Sequence, residues 1–142
     1  MIVERDPAFN TSSILFWISG LLAVAVFFVG LFALVAPVPG SASFGSPVTD
    51  ATNTQGLAWV RLMGVRDIGL ALILLGLMAV KARRIIGLTL LLALIIPIVD
   101  CATVIHALGI TYHVVVHGGS AILMLVLGVT LLRPSPPARL KT

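Results

Sequence analysis

Four stretches of the chain are apolar almost without interruption, and most of the polar residues gather between them. The runs cover residues 13–36, 58–80, 85–107 and 111–132. Each is near the ~20 residues an α-helix needs to cross the hydrocarbon layer. None shows the two-residue alternation of a membrane strand, and all are too long for one. Pro37-Val38-Pro39-Gly40 ends the first run, and Lys81-Ala82-Arg83-Arg84 separates the second from the third. Gly109 breaks the third from the fourth. Arg133-Pro134-Ser135-Pro136-Pro137 stops the fourth, because proline has no amide to donate. The pattern predicts an all-α membrane protein, a four-helix transmembrane bundle. It forms a single domain over residues 1–142, with an outer loop at 37–57 and a short tail at 133–142.

Composition narrows the class. Of 142 residues, 59% are hydrophobic and 10% charged, with a mean hydropathy of +1.17. A soluble domain carries about 25% charged residues. Too few polar residues remain here to cover a water-facing surface, which excludes a soluble enzyme and a disordered chain. The net charge is +4, but the cations are scattered about the apolar runs with no basic helix face or aromatic platform, so no nucleic-acid partner is expected. The single cysteine, Cys101, excludes an intrachain disulfide.

Charge placement predicts orientation. Arg5, Lys81, Arg83, Arg84, Arg133, Arg139 and Lys141 lie at the N-terminus, the second connection or the C-terminus, whereas the first and third connections carry no Lys or Arg. By the positive-inside bias both termini are expected in the cytoplasm, in a multi-pass protein of the plasma membrane. Trp17 is expected near the inner interface, Trp59 and Tyr112 near the outer one. A cleaved signal peptide is the weaker reading of the first run, since Glu4 and Asp6 spoil a positive leader. The Pro/Gly/Ser/Thr-rich 37–57 loop is longer than a helix hairpin requires; such loops act as lids or lack fixed structure.

The informative residues lie where lipid is expected: Arg66 and Asp67 in the second run, Asp100 in the third, His113 and His117 in the fourth. A charge at membrane depth costs roughly 2.5–3.5 kcal/mol on insertion scales and faces protein or water. Counting from the connections at ~1.5 Å per residue puts Arg66, Asp67, Asp100 and His117 in one layer of the outer half. Arg66 and Asp67, adjacent on a helix, point about 100° apart and read as poor mutual partners, so Arg66 is expected to reach across to Asp100. Gly64, Gly69 and Gly76 suggest close helix approach. Pro97, three residues before Asp100, predicts a kink. His113, His117, Ser120 and Met124 share one helix face.

One guanidinium needs one acid as partner, yet two acids and a histidine occupy its layer. That surplus favours a polar pocket over an ion pair that only fixes register. The catalytic candidates are Asp67, Asp100, Arg66 and His117; the substrate-binding candidates are Trp59, His113, Tyr112, Thr103 and Ser120. Two acids beside one Arg can divide into proton donor and acceptor. The Asp–Arg–Asp set is similar in chemistry to that of limonene-type epoxide hydrolases, which are soluble and of another fold. This points to an enzyme opening or isomerising a lipophilic small molecule without a cofactor. A metal held by His113 and His117, at the i,i+4 spacing of zinc-binding helices, is the weaker alternative. A proton-coupled or small-solute carrier, or an accessory subunit, is the non-enzymatic one. A carrier of this size needs a homo-oligomer and a polar path through the inner half, where 72–80, 86–96 and 123–131 offer only Thr89 and Thr130.

Three blocks also resemble a known family: Trp59-Val-Arg-Leu-Met-Gly-Val-Arg-Asp67, Pro97-Ile-Val-Asp100 and His117-Gly118. They are similar to a small four-helix membrane family of bacteria and fungi known only as a domain of unknown function, and more loosely to DoxX-like membrane proteins. The resemblance spans 59–132. It implies the bundle and the Arg-Asp/Asp/His pattern, and for some fungal relatives a setting beside polyketide or terpenoid pathways.

Overall fold

A computed structural model describes residues 9, 13–45 and 47–134 of the chain. The tail after Pro134, with Arg139 and Lys141, lies outside the described residues, as does Arg5. Among the described residues the regular structure is entirely helical: α1 (Ile14–Val35), α2 (Pro37–Ser41), α3 (Thr54–Ala79), α4 (Arg83–Ala93), α5 (Ile95–Leu108) and α6 (Tyr112–Leu132). Four helices are long and apolar enough to cross a membrane when α4 and α5 are taken as one span. The expected all-α bundle is what the chain forms, and lipid is the environment its apolar exterior fits.

The spans associate as two pairs. α1 runs along α3, and α4–α5 packs on α6. With little hydrophobic drive between helices in lipid, association depends on how closely backbones approach. The buried side of α1 is made only of small residues, Ser19, Ala23, Gly30 and Ala33. At its crossing with α3, a Cβ on Gly30 would stand 2.6 Å from the Gly64 carbonyl oxygen, and a Cβ on Gly64 equally 2.6 Å from that of Gly30. The second pair has a matching crossing, where a Cβ on Gly87 would lie 2.9 Å from the Gly128 oxygen. Gly69 and Gly76 make no such approach: a Cβ on either would meet nothing within 4 Å. That corrects the reading of these two as packing glycines, since helix periodicity shows which residues share a face but not which face meets a neighbour.

The apolar core lies toward the end where α1 begins and α6 ends, and there Leu74, Ile86, Leu90, Met124, Leu127 and Leu131 are buried together. Arg83 is buried at this end and donates from Nη2 to the Thr130 carbonyl at 3.0 Å, placing a cation at the C-terminal turn of α6, where the helix dipole favours it.

Two boundaries differ from expectation, and the kink expected from Pro97 is present. α3 starts at Thr54, a turn before residue 58, because Asn53 Oδ1 accepts from the Gly56 amide at 2.9 Å and caps it. The third span is divided at Leu94, three residues before Pro97, whose ring removes the amide that the Ala93 carbonyl would accept. Finally, residues 37–45 and 47–53 form a strap leading into α3, and its first part is packed on the bundle. Pro37 opens α2, Gly40 lies against Ala33, and Ser41 is fully buried. The Ser41 hydroxyl donates to the Val38 carbonyl and accepts from the Val48 amide at 2.7 Å. Gly45 adopts φ +74°, and a Cβ there would stand 2.9 Å from Val104 on α5 and 3.0 Å from His113 on α6. The strap therefore wedges into the loop end of the second helix pair.

Candidate functional site

The polar layer sits at the seam between the pairs, with Arg66 and Asp67 on α3, Asp100 on α5 and His117 on α6. Asp67 lies three residues after Gly64, so the glycine crossing fixes its depth; a Cβ on Gly30 would stand 3.1 Å from the Asp67 Cβ. Asp100 is carried by the segment that Pro97 redirects. His113 and His117, one turn apart, lie on the buried side of α6 with Met124.

Arg66 holds both acids. Its Nε donates to Asp67 Oδ1 at 2.9 Å and its Nη2 to Asp100 Oδ2 at 3.4 Å. The reach to Asp100 agrees with the expected pairing, but the Asp67 contact corrects the idea that adjacent residues make poor partners. Their Cα–Cβ bonds do diverge, yet the Arg side chain is long enough to fold back and present Nε to its neighbour. The three side chains differ in exposure, at 34% for Arg66, 21% for Asp100 and 12% for Asp67. Asp67 is thus the enclosed, tightly held acid, and Asp100 the looser and more accessible one.

His117 is buried on the adjoining helix α6, and its Nε2 is enclosed without a hydrogen-bond partner. Such an atom is uncommon, because a buried polar group left unpaired costs about 1–3 kcal/mol. The Thr111 hydroxyl, at the start of α6, is likewise enclosed and unpaired. Sequence reasoning did not single out Thr111, Ser41 or Gly45. Only the φ of Gly45 and the burial of the other two reveal them.

The remaining candidates divide. His113 is buried under the strap, its ring 3.8 Å from that of Tyr112. Trp59 and Tyr112 are exposed at the loop end, where amphipathic rings suit an interface. The Thr103 hydroxyl donates to the Val99 carbonyl and that of Ser120 to Val116, each at 2.8 Å, so both are committed to their own helices. Among the described residues no three His, Cys, Asp or Glu side chains converge closely enough to hold a metal ion.

The arrangement therefore offers one fixed cation, two acids held at unequal strength, and a neighbouring imidazole with a free ring nitrogen. It is suited to moving a proton between two points on a ligand. Comparisons with curated proteins and with solved structures give no match. Residues 23–131, covering most of α1 and all of the polar layer, match the family described as "Domain of unknown function (DUF4267)". By a match over more than half its length, the chain belongs to that family.

Proposed function

We propose that the protein is a small membrane enzyme that uses the Arg66–Asp67–Asp100 set and His117 for general acid/base chemistry on a lipophilic small molecule. The observation that carries this reading is the unequal grip of one guanidinium on two carboxylates, 2.9 Å against 3.4 Å. With both acids ionised the set carries one surplus negative charge, and a single proton shared by the pair makes it neutral.

In the epoxide form of the reaction, Asp67 takes a proton from water as the water oxygen attacks one ring carbon. The carbon–oxygen bond opens, and Asp100 gives its proton to the departing ring oxygen. Epoxide and water become a vicinal diol. The proton left on Asp67 returns to Asp100, directly or through His117. In an isomerisation the same two acids remove and return a proton without consuming water. Both termini in the cytoplasm and a plasma-membrane setting accompany this proposal, from the distribution of basic residues.

One observation favours a second reading. Arg66 reaches from α3 to Asp100 on α5, so this ion pair also suits a lock on helix register, worth about 0.6–2 kcal/mol per interhelical hydrogen bond. The test is turnover of lipophilic terpenoid epoxides in proteoliposomes prepared in ¹⁸O-water. Label in the diol is expected from the parent protein, and Asp100→Asn is expected to lose roughly 10²–10⁴-fold. An inactive parent against such epoxides, enols and polyenes alike, or an undiminished Asp100→Asn, contradicts the reading.

A further inference from the structure

The polar layer has an end and a side, and they are closed differently. At the end, the strap lays Gly40 on Ala33, buries Ser41 and drives Gly45 between Val104 and His113. Water at the loop end therefore meets packed chain above His117. At the side, Arg66 and Asp100 keep exposures of 34% and 21% although they lie deep within their spans. Gly69 lies one turn along α3 from Arg66, and a Cβ built there would meet nothing within 4 Å. α3 and α5 are joined by the 3.4 Å bond of Arg66 with Asp100. α5 itself is carried on the joint at Leu94 and Pro97.

We infer that the layer opens laterally to the bilayer, between α3 and α5, and that its ligand is a membrane-dissolved molecule. That ligand is a hydrocarbon body bearing one polar oxygen, admitted beside Asp100 over Gly69. The inference rests on the proposed acid/base site for its ligand, but the route is a property of the fold and is tested without turnover. An ether, epoxide or carbonyl oxygen accepts from Arg66, or from Asp100 when that acid is protonated. The apolar body stays against α3 and in lipid. The opening is flanked by Val65, Ile73 and Val99, all exposed, an approach that suits an apolar body and not a hydrated ion.

Carbodiimides read this directly, because one chemistry comes in two solubilities. A protonated carboxyl adds across the carbodiimide: its proton goes to one nitrogen, its oxygen to the central carbon, and the adduct rearranges to a stable N-acylurea. In proteoliposomes at mildly acidic pH, membrane-soluble dicyclohexylcarbodiimide is compared with a water-soluble carbodiimide, and the modified residue is located by peptide mass spectrometry. Asp50, exposed in the strap, is the internal control for the aqueous reagent. Asp100 is expected to be modified by the membrane-soluble reagent and spared by the aqueous one, with Asp50 showing the reverse. Gly69→Leu, which fills open space and leaves the fold intact, is expected to slow labelling of Asp100 several-fold, whereas Gly76→Leu, a further two turns away, does not.

Aqueous labelling of Asp100 at the rate of Asp50 would overturn the lateral route. So would failure of both reagents to reach Asp100, or equal labelling in the Gly69→Leu protein. Lateral labelling together with undiminished turnover in Asp100→Asn keeps the route and removes the acid/base reading, so the two claims fail separately.

Discussion

Where α1 begins and α6 ends, the other three spans meet through Leu74, Ile86, Leu90, Met124, Leu127 and Leu131, whereas toward the opposite end the same three spans present Asp67, Asp100, His113 and His117. Each end has a glycine crossing, Gly87 with Gly128 at the first and Gly30 with Gly64 at the second. The crossings do different things. Gly87 and Gly128 bring α4 onto α6 beside an apolar core, where the Arg83 guanidinium reaches only a backbone carbonyl, that of Thr130, at 3.0 Å. Gly30 and Gly64 bring α1 onto α3 a turn from Asp67 and set the depth of an acid. One end is held by apolar packing with a guanidinium on a helix C-terminal carbonyl; the other combines close backbone packing with buried acids and histidines. A bundle that needed only to persist in lipid has no use for the second arrangement, because each buried charge is a cost that apolar packing avoids.

Substitutions separate the ends in order of expected effect. Gly30→Leu or Gly64→Leu drives a side chain into a backbone carbonyl 2.6 Å from its own Cβ. Overpacking costs about 1–3 kcal/mol where side chains can yield, and here nothing flexible stands in the way. Loss of monodisperse protein in mild detergent is expected by size-exclusion chromatography; normal elution would show that the pairs are not locked there. Next, Leu131→Ala opens a cavity in a fully buried position. Because lipid rather than water surrounds the bundle, the loss is expected near 2 kcal/mol, the low end of the range for such truncations, read as a lower melting temperature. Gly69→Ala and Gly76→Ala are expected to leave stability unchanged or raise it by up to about 1 kcal/mol, since open space and a better helix former act together.

The smallest effect is in the strap. Asp50 accepts from the Thr52 hydroxyl at 2.7 Å and the Thr52 amide at 2.8 Å, and these bonds hold its carboxyl below the ordinary aspartate range. The folded value is the lower one, so its contribution is complete above the unfolded value and fades as pH falls through the folded value. Faster hydrogen exchange at the Thr52 amide is expected at acidic pH and in Asp50→Ala, with no change in the melting temperature of the bundle. Pairwise loss of global stability would instead make the strap a structural member of the fold.

The four spans were readable because hydropathy fixes them, and the layer because the connections set the depth of every residue. Depth, however, is not facing. The run of Gly69 and Gly76 looked like a packing stripe and is open, while the true stripe lies on α1, where Ser19, Ala23, Gly30 and Ala33 recur at helical spacing. Small residues in an apolar helix carry little contrast on a hydropathy scale, so only the periodicity of size, not of polarity, reveals that face. The Arg66–Asp67 bond is hidden for a related reason: backbone direction sets where each Cβ points, but not how far an arginine side chain reaches back. The strap was unreadable because its order depends on tertiary partners. Gly45 is held by Val104 and His113, each dozens of residues away, and no local pattern anticipates them.

The central claim is that the loop end holds its charges for chemistry rather than for folding. Melting temperature and diol formation, measured on one preparation of the Asp67→Asn/Asp100→Asn protein beside both single variants, test it most directly. Asparagine keeps the shape and much of the hydrogen bonding of the acid but cannot take up or release its proton. Melting close to that of the parent is expected, with turnover down roughly 10²–10⁴-fold in each single variant and little further in the double, as for residues acting as one unit. A melting temperature that falls while activity per folded molecule stays at the parental level would assign Asp67 and Asp100 to helix register and contradict the account.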